Sequence, residues 1–345
     1  MSNISGELEF PWANAPVPGQ TIEIAPGLLW ARHPLPFRLN HVHSWLLDEG
    51  EGWTCIDTGC DTPDVRNAWE TLFAGPMQGR KIDRVVATHG HVDHIGLSGW
   101  LHERFDAEFW GSFGEWIWAR ISHIKGIPGA ADAQYTHLMS NGFSEQEARE
   151  FLESRDRFLD LATPLPGSLH EIRDGDTVSM GGRDWQAIQT SGHSFEHMCF
   201  FNREENILIA GDHLLSKISP VVAVYEMVPH GDPLRDFLVS FSKFDHVPDD
   251  VLVLPSHGLP YRGIRRRITE LRDHHRERLD MTLELLKEPR TGYSLIRAMF
   301  PKVQGVDNLG FAFGEALAHV NYLIREGLVA NVSEQPGKMI YKAVA

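Results

Sequence analysis

The segment Thr88-His89-Gly90-His91-Val92-Asp93-His94-Ile95-Gly96 constrains this chain more than any other. It places four metal-capable side chains within positions 89–94, directly after the apolar run Ile82 to Ala87. The alternating, β-branched character of that run predicts a buried strand that ends where the donors begin. His89 and His91 are two apart, so an extended or turning backbone aims both imidazoles at one ion. Asp93 and His94 are adjacent and must diverge, which suits a second ion a few ångströms from the first. Packing alone does not require His-x-His-x-Asp-His.

A chain of 345 residues accommodates one large domain and a smaller one around a substantial core. Met1 to Pro11 lacks the basic and apolar regions of a leader, and no run approaches a membrane span, so cytoplasm is the default expectation. Cys55, Cys60 and Cys199 are too scattered for a disulfide framework or a cysteine zinc site. The net charge of −15 opposes a nucleic-acid backbone unless a local basic face exists.

Residues 21–60 read as β-structure. Thr21–Ile24 and Leu28–Ala31 flank Pro26-Gly27, and His41–Leu47 and Trp53–Ile56 flank a turn at 48–52. Residues 64–75 read as a helix, which gives a β-α-β order. Beyond the histidine cluster the chain turns helical over about 113–163. Phe113, Ile117, Ile121 and Ile124 share a stripe with Trp116 and Trp118 beside it. Ser144-Glu145-Gln146-Glu147 is a capping box that opens a second helix. This insertion is expected to pack on the core and to wall the metal edge. Strands return at 177–180, 185–189, 197–202, 207–210 and 251–254. Several end in small residues followed by a donor: Gly211-Asp212 and Pro255-Ser256-His257.

A boundary is expected near residue 268. Leu271, His275, Leu279, Leu283 and Leu286 predict a long helix, Thr291 caps a short one, and Ala316 to Glu326 forms a third. Two strands around Glu334-Gln335-Pro336-Gly337 follow, which is winged-helix order. Residues 270–345 hold ten Lys/Arg and ten Asp/Glu, leaving 22 basic against 37 acidic residues in 1–269. A balanced tail is expected to be a packing or dimer module and not a DNA reader.

Asp57, the 89–94 cluster, His193 in Thr190-Ser191-Gly192-His193, Asp212 and His257 together resemble the five motifs of the metallo-β-lactamase superfamily, in order. The resemblance covers about 20–265. It is nearest to glyoxalase II-type hydrolases and, with the wing-like tail, to the β-lactamase-like protein 2 subgroup, some of whose members are described as endoribonucleases. It implies an αββα sandwich with a helical insertion (domain 1–268) and a small winged-helix-like domain (269–345). It further implies that His89, His91 and His193 hold one metal, that Asp93, His94 and His257 hold a second, and that Asp212 bridges them. Asp57 would orient the ligands from behind. Ser191 stands where the family usually has proline.

Nitrogen and oxygen donors suit two divalent ions, Zn²⁺ first, with Fe²⁺ or Mn²⁺ tolerated. A water shared between them becomes a hydroxide nucleophile, and Asp93 is placed to take its proton. Three functions compete: a hydrolase of a small ester-type substrate (thioester or lactone), an endoribonuclease acting on single-stranded RNA, and a non-catalytic binding protein. The acidic surface of 1–269 and the Trp-rich insertion favour the first. Tyr225 is a candidate donor to a developing oxyanion. His41, His43, His102, His123, His137, His274 and His275 read as surface or core-edge residues, and His197 as a support at most. The run Arg262, Arg265, Arg266 and Arg267 reads as solvated helix charge or as a seat for an anionic tail.

Overall fold

The computed structural model describes residues 7–122 and 128–344, and only the backbone of 155–157 and 307. One sheet holds seven strands in chain order. They are β1 (Thr21–Ala25), β2 (Leu28–Pro34), β3 (His41–Asp48), β4 (Trp53–Ile56), β5 (Ile82–Val86), β6 (Glu108–Gly111) and β7 (His170–Glu171). The first four pair antiparallel, and β4 to β7 run parallel. A second sheet holds β8 (Thr177–Met180), β9 (Arg183–Thr190), β10 (His197–Asn202), β11 (Ile207–Gly211) and β12 (Leu252–Pro255). Within it only β11 and β12 are parallel.

The helices fill two outer layers. On the first sheet lie α1 (Pro63–Ala74) and α3 (Ser98–Phe105), with α2 (Val92–Ile95) a single turn within the histidine motif. The insertion supplies α4 (Phe113–Ser122), α5 (Ala130–Ser140) and α6 (Glu145–Leu159). The second sheet is covered by α7 (Pro233–Ser240), α8 (Ile264–Leu285), α9 (Gly292–Met299) and α10 (Val306–Arg325), and a hairpin of β13 (Val329–Asn331) and β14 (Tyr341–Ala343) follows.

Strand periodicity sorts the apolar side chains into three layers of core. In β10, Met198 and Phe200 point between the sheets to meet Trp30, Trp45 and Ile56, while Cys199 and Phe201 point outward. That is why all six residues of β10 are buried. Outside the first sheet, Trp69 and Leu72 of α1 pack on Leu46, Cys55 and Val85. Outside the second, Phe237, Leu271, Leu295 and Leu317 join Phe201 and Leu208 in one cluster. The result is an αββα sandwich. Fully burying one such Phe or Leu contributes roughly 1.5–3 kcal/mol. Among the described residues no helix is long and apolar enough to cross a membrane.

The structure departs from the sequence reading in four places. The face of α4 that turns inward is Glu115 and Ala119, while Phe113 and Ile121 of the expected stripe are exposed. Ile124 lies outside the described residues, as does His123. The short strands β6 and β7 were not expected, because Glu108–Gly111 mixes charge, aromatics and glycine over only four residues. Helix α8 begins at Ile264 and continues through residue 268 without a break. Helix α10 starts ten residues before the expected Ala316, because Gly310 and Gly314 weaken its helical signal.

Candidate metal centre

Parallel pairing assembles the site. The register Ile56↔Val86 between β4 and β5 brings Asp57 beside Thr88, and Gly211↔Pro255 between β11 and β12 brings Asp212 beside His257. Asp57 holds a left-handed backbone at φ 59°, which turns the chain just past the strand. Its carboxylate accepts the Thr88 N–H (2.9 Å), the Thr88 hydroxyl (2.8 Å) and the His94 Nδ1–H (2.7 Å). Gly211, at φ 51°, lies so close to the His197 ring that an added Cβ would sit 2.4 Å from Nε2.

The donors converge in two sets. His89 Nε2 lies 2.8 Å from His91 Nδ1 and 3.1 Å from His193 Nε2. His257 Nε2 lies 3.5 Å from Asp93 Oδ2, and His94 Nε2 lies 3.7 Å from the same oxygen. Asp212 stands between the sets. Its Oδ2 is 3.4 Å from His193 Nε2, and its Oδ1 is 3.2 Å from His257 Nε2 and 3.6 Å from His94 Nε2. All seven side chains proposed as ligands from the sequence therefore meet at one edge of the sandwich.

The remaining ring nitrogens are engaged. His193 Nδ1 donates to the Val221 carbonyl (2.7 Å) and His257 Nδ1 to the His41 carbonyl (2.6 Å), which turns both Nε2 lone pairs inward. The inward atoms have no such partner: His94 Nε2, His257 Nε2 and Asp212 Oδ1 are buried without a hydrogen bond. Each orphan of this kind costs about 1–3 kcal/mol, and a cation in their midst removes the cost. Nitrogen and carboxylate donors in this arrangement fit a divalent metal.

Electrostatics agree. Burial opposes charge on His94, but Asp93, Asp57 and Asp212 outweigh it and push the imidazole up to about 10. The same contest, led by burial and won by Asp212, raises His257. Asp212 falls well below the usual carboxylate range, because His257 and His94 overcome its burial. His89 is pushed well below its ordinary value by burial and by His94 and His91. The second set thus attracts positive charge strongly, while burial holds His89 and His193 toward the neutral form.

Several supports were not legible as such in the sequence. Glu115 is buried on α4 and accepts the backbone N–H groups of Gly90 (2.8 Å) and Glu196 (2.7 Å). His197, read from the sequence as a support, accepts the Asp212 N–H at Nε2 (3.0 Å) and so fixes the residue between the two sets. His41, read from sequence as a bystander, accepts the Gly258 N–H at Nε2 (2.9 Å) and braces the loop of His257. His43 is buried and contacts the Pro255 carbonyl (3.0 Å). Three of the four arginines in the run are tied to backbone carbonyls. Arg267 is buried against the Leu215 and Ile218 carbonyls, Arg265 caps Asp245 and Val247, and Arg262 reaches the Asp250 carbonyl. Only Arg266 keeps an exposed helical pairing, with Glu270.

An aromatic wall flanks the first set. The Trp118 ring sits 5.3 Å from His91, 5.8 Å from Tyr225 and 6.1 Å from Phe195, and the Tyr225 hydroxyl lies 3.3 Å from His91 Nε2. Ser191, in place of the expected proline, donates its N–H toward Ser240 Oγ and its hydroxyl to the Phe195 carbonyl, and His193 keeps its place.

This fold and site define a metal-dependent hydrolase. Residues 38–257 match the metallo-beta-lactamase superfamily and residues 279–344 the metallo-beta-lactamase-like C-terminal domain, and the chain belongs to that superfamily. It is similar to a beta-lactamase domain protein from Burkholderia ambifaria, with 34% identity, TM-score 0.89 and 98% of each chain covered. It is 26% identical to the "Probable metallo-hydrolase YqjP" of Bacillus subtilis (strain 168), over 90% of this chain and 95% of that one. It is also 24% identical to the "Atrochrysone carboxyl ACP thioesterase" of Aspergillus fumigatus, over 74% of this chain but 46% of that protein's length.

Proposed function

We propose that the chain is a dinuclear metal hydrolase that attacks the carbonyl of a small ester-type substrate, a thioester or lactone, in the glyoxalase II-like manner. One observation carries the reading: Asp212 turns one oxygen to each donor set, and the wall beside them is aromatic. His89, His91 and His193 would hold one ion, Asp93, His94 and His257 the other, with Asp212 between them. Two such ions, Zn²⁺ before Fe²⁺ or Mn²⁺, would polarise a carbonyl and bring a water's pKa toward neutrality.

The chain's own residues supply the rest. Asp93 remains partly accessible at the mouth of the site and is placed to accept the proton of the attacking water. With His91 Nδ1 turned to the ligand set, its Nε2–H faces Tyr225, and the phenolic hydrogen is left free to point at substrate. Burial raises the Tyr225 hydroxyl, so it remains a donor at neutral pH. Asp57 holds His94 and Thr88 and keeps the ligand loop in register. Trp118 and Phe195 offer an acyl group a dry surface. A relative named as a thioesterase points the same way. The winged-helix-like segment 269–345 is read as a packing module, since its charge balances to zero.

The test is a panel of acyl-thioesters, lactones and single-stranded RNA, run with wild type and His89→Ala. Turnover of a carbonyl substrate that the substitution abolishes is expected. RNA cleavage abolished by it, with no carbonyl substrate turned over, would reverse the assignment to an endoribonuclease.

A further inference from the structure

We propose that α8 and α10 brace the metal centre, with Gly314 and Asn321 acting as positioning residues for His193 and Tyr225. The inference rests on the metal reading above, and extends it to a part of the chain that supplies no donor. Residues 212–232 connect β11 to α7 with neither helix nor strand between. A loop of that length holds one conformation only if something outside it fixes its backbone.

The fixings come from the C-terminal helices. Asn321 Nδ2 donates to the Pro229 (3.0 Å) and Gly231 (2.8 Å) carbonyls, and Arg325 donates to His230. The Gly314 carbonyl on α10 accepts the Val224 N–H (3.1 Å). From α8, Arg267 grips the Ile218 carbonyl (2.8 Å), and His275 Nε2 meets the Ser219 hydroxyl (3.3 Å). The opposite edge of the same loop faces the metal site. The Val221 carbonyl accepts His193 Nδ1–H and thereby sets which nitrogen His193 presents. The Tyr225 hydroxyl lies against His91. Two residues separate Val221 from Val224, so a shift at the Gly314 contact reaches both.

Gly314 explains itself by this contact. A Cβ there would lie 2.7 Å from Ala223 Cβ and 3.3 Å from the Val224 carbonyl oxygen. Alanine suits a helix better than glycine, so the cost of Gly314→Ala falls on the loop and not on α10.

The test uses full-length protein stripped by chelator and titrated with Co²⁺, read by visible absorption. Gly314→Ala is expected to weaken the first Co²⁺ about tenfold or more and to alter its band shape. Asn321→Ala should do the same, with melting of the metal-free protein little changed. Adding Ala223→Gly to Gly314→Ala makes room for the new methyl and should restore most of the affinity. Wild-type affinity and spectrum in both single variants, or no relief from Ala223→Gly, would overturn the brace. Should Gly314→Ala not fold, Asn321→Ala, which adds no atom, decides alone. Wild type that takes up no Co²⁺ sinks the metal reading, and the brace with it. The readout involves no substrate, so an error about the reaction does not mimic either failure.

Discussion

Glu115, from inside helix α4, accepts the backbone N–H of Gly90 at 2.8 Å. Its other oxygen takes the Glu196 N–H, so one buried carboxylate ties the loop of His89 and His91 to the loop of His193. Glu115→Gln keeps the shape but turns an N–H donor toward one of the two amides. The variant should lose about 1–3 kcal/mol of stability. First-site metal affinity should fall about 10- to 100-fold. Thermal melting and competition against a chromophoric chelator measure the two effects, and wild-type values in both would show the tie to be idle.

Protein purified without chelator should carry close to two transition-metal ions, zinc foremost, by elemental analysis. Asp212→Ala removes the residue that faces both donor sets, and should cost mainly the second ion. Trace metal in the wild type would contradict the dinuclear reading.

Trp118→Ala opens the aromatic wall without touching a donor atom. For an apolar acyl substrate it should raise KM on the order of tenfold, with kcat and metal content nearly unchanged, the signature of lost uniform binding. An unaltered KM would place the acyl group elsewhere.

His275 is buried beside His319, and burial, with His319, His274 and Arg278, holds it down at about 3. The unfolded chain takes up a proton near pH 6.5 that the folded chain refuses, so this residue destabilises the fold as pH falls below that value and is neutral above it. The penalty grows by about 1.4 kcal/mol per pH unit. Urea midpoints at pH 7, 6 and 5 for wild type and His275→Gln should converge toward acid, with the variant losing less. Parallel profiles would be inconsistent with a neutral buried His275.

Residues 270–345 should not bind duplex DNA, given ten basic and ten acidic residues and an α10 largely packed against the core. Gel shifts at physiological salt are expected to be blank. A complex with a steep salt dependence that maps to this tail would overturn the expectation.

The convergence of the seven donors was legible because all of them sit in short local signatures at strand ends, where spacing alone limits where a side chain can aim. Asp57 was legible for the same reason, as Asp-Thr-Gly after an apolar strand. Glu115 was not, since its two amide partners lie 25 and 81 residues away and only the folded approach of α4 brings them together. Helix α4 itself was recognised but rotated, because the exposed Phe113 and Ile121 carry a stronger apolar signal than the buried Glu115 and Ala119. In α10, Gly310 and Gly314 read as breaks. They are there because the Phe151 ring and the Ala223 side chain press against the helix where a Cβ would stand. Local propensity cannot report a neighbour that distant in sequence.

The unbroken course of α8 has a consequence for anyone dividing this chain into parts. Leu271 lies in the same apolar cluster as Phe201 and Leu208 of the second sheet, and Leu295 and Leu317 complete that layer. Helix α8 carries the chain from Ile264 to Leu285 and passes residue 268 as one continuous rod. A fragment cut there would leave one face of the sandwich wet and greasy at once, prone to clump before its metals could be counted. The C-terminal domain thus also serves as the fourth wall of the house.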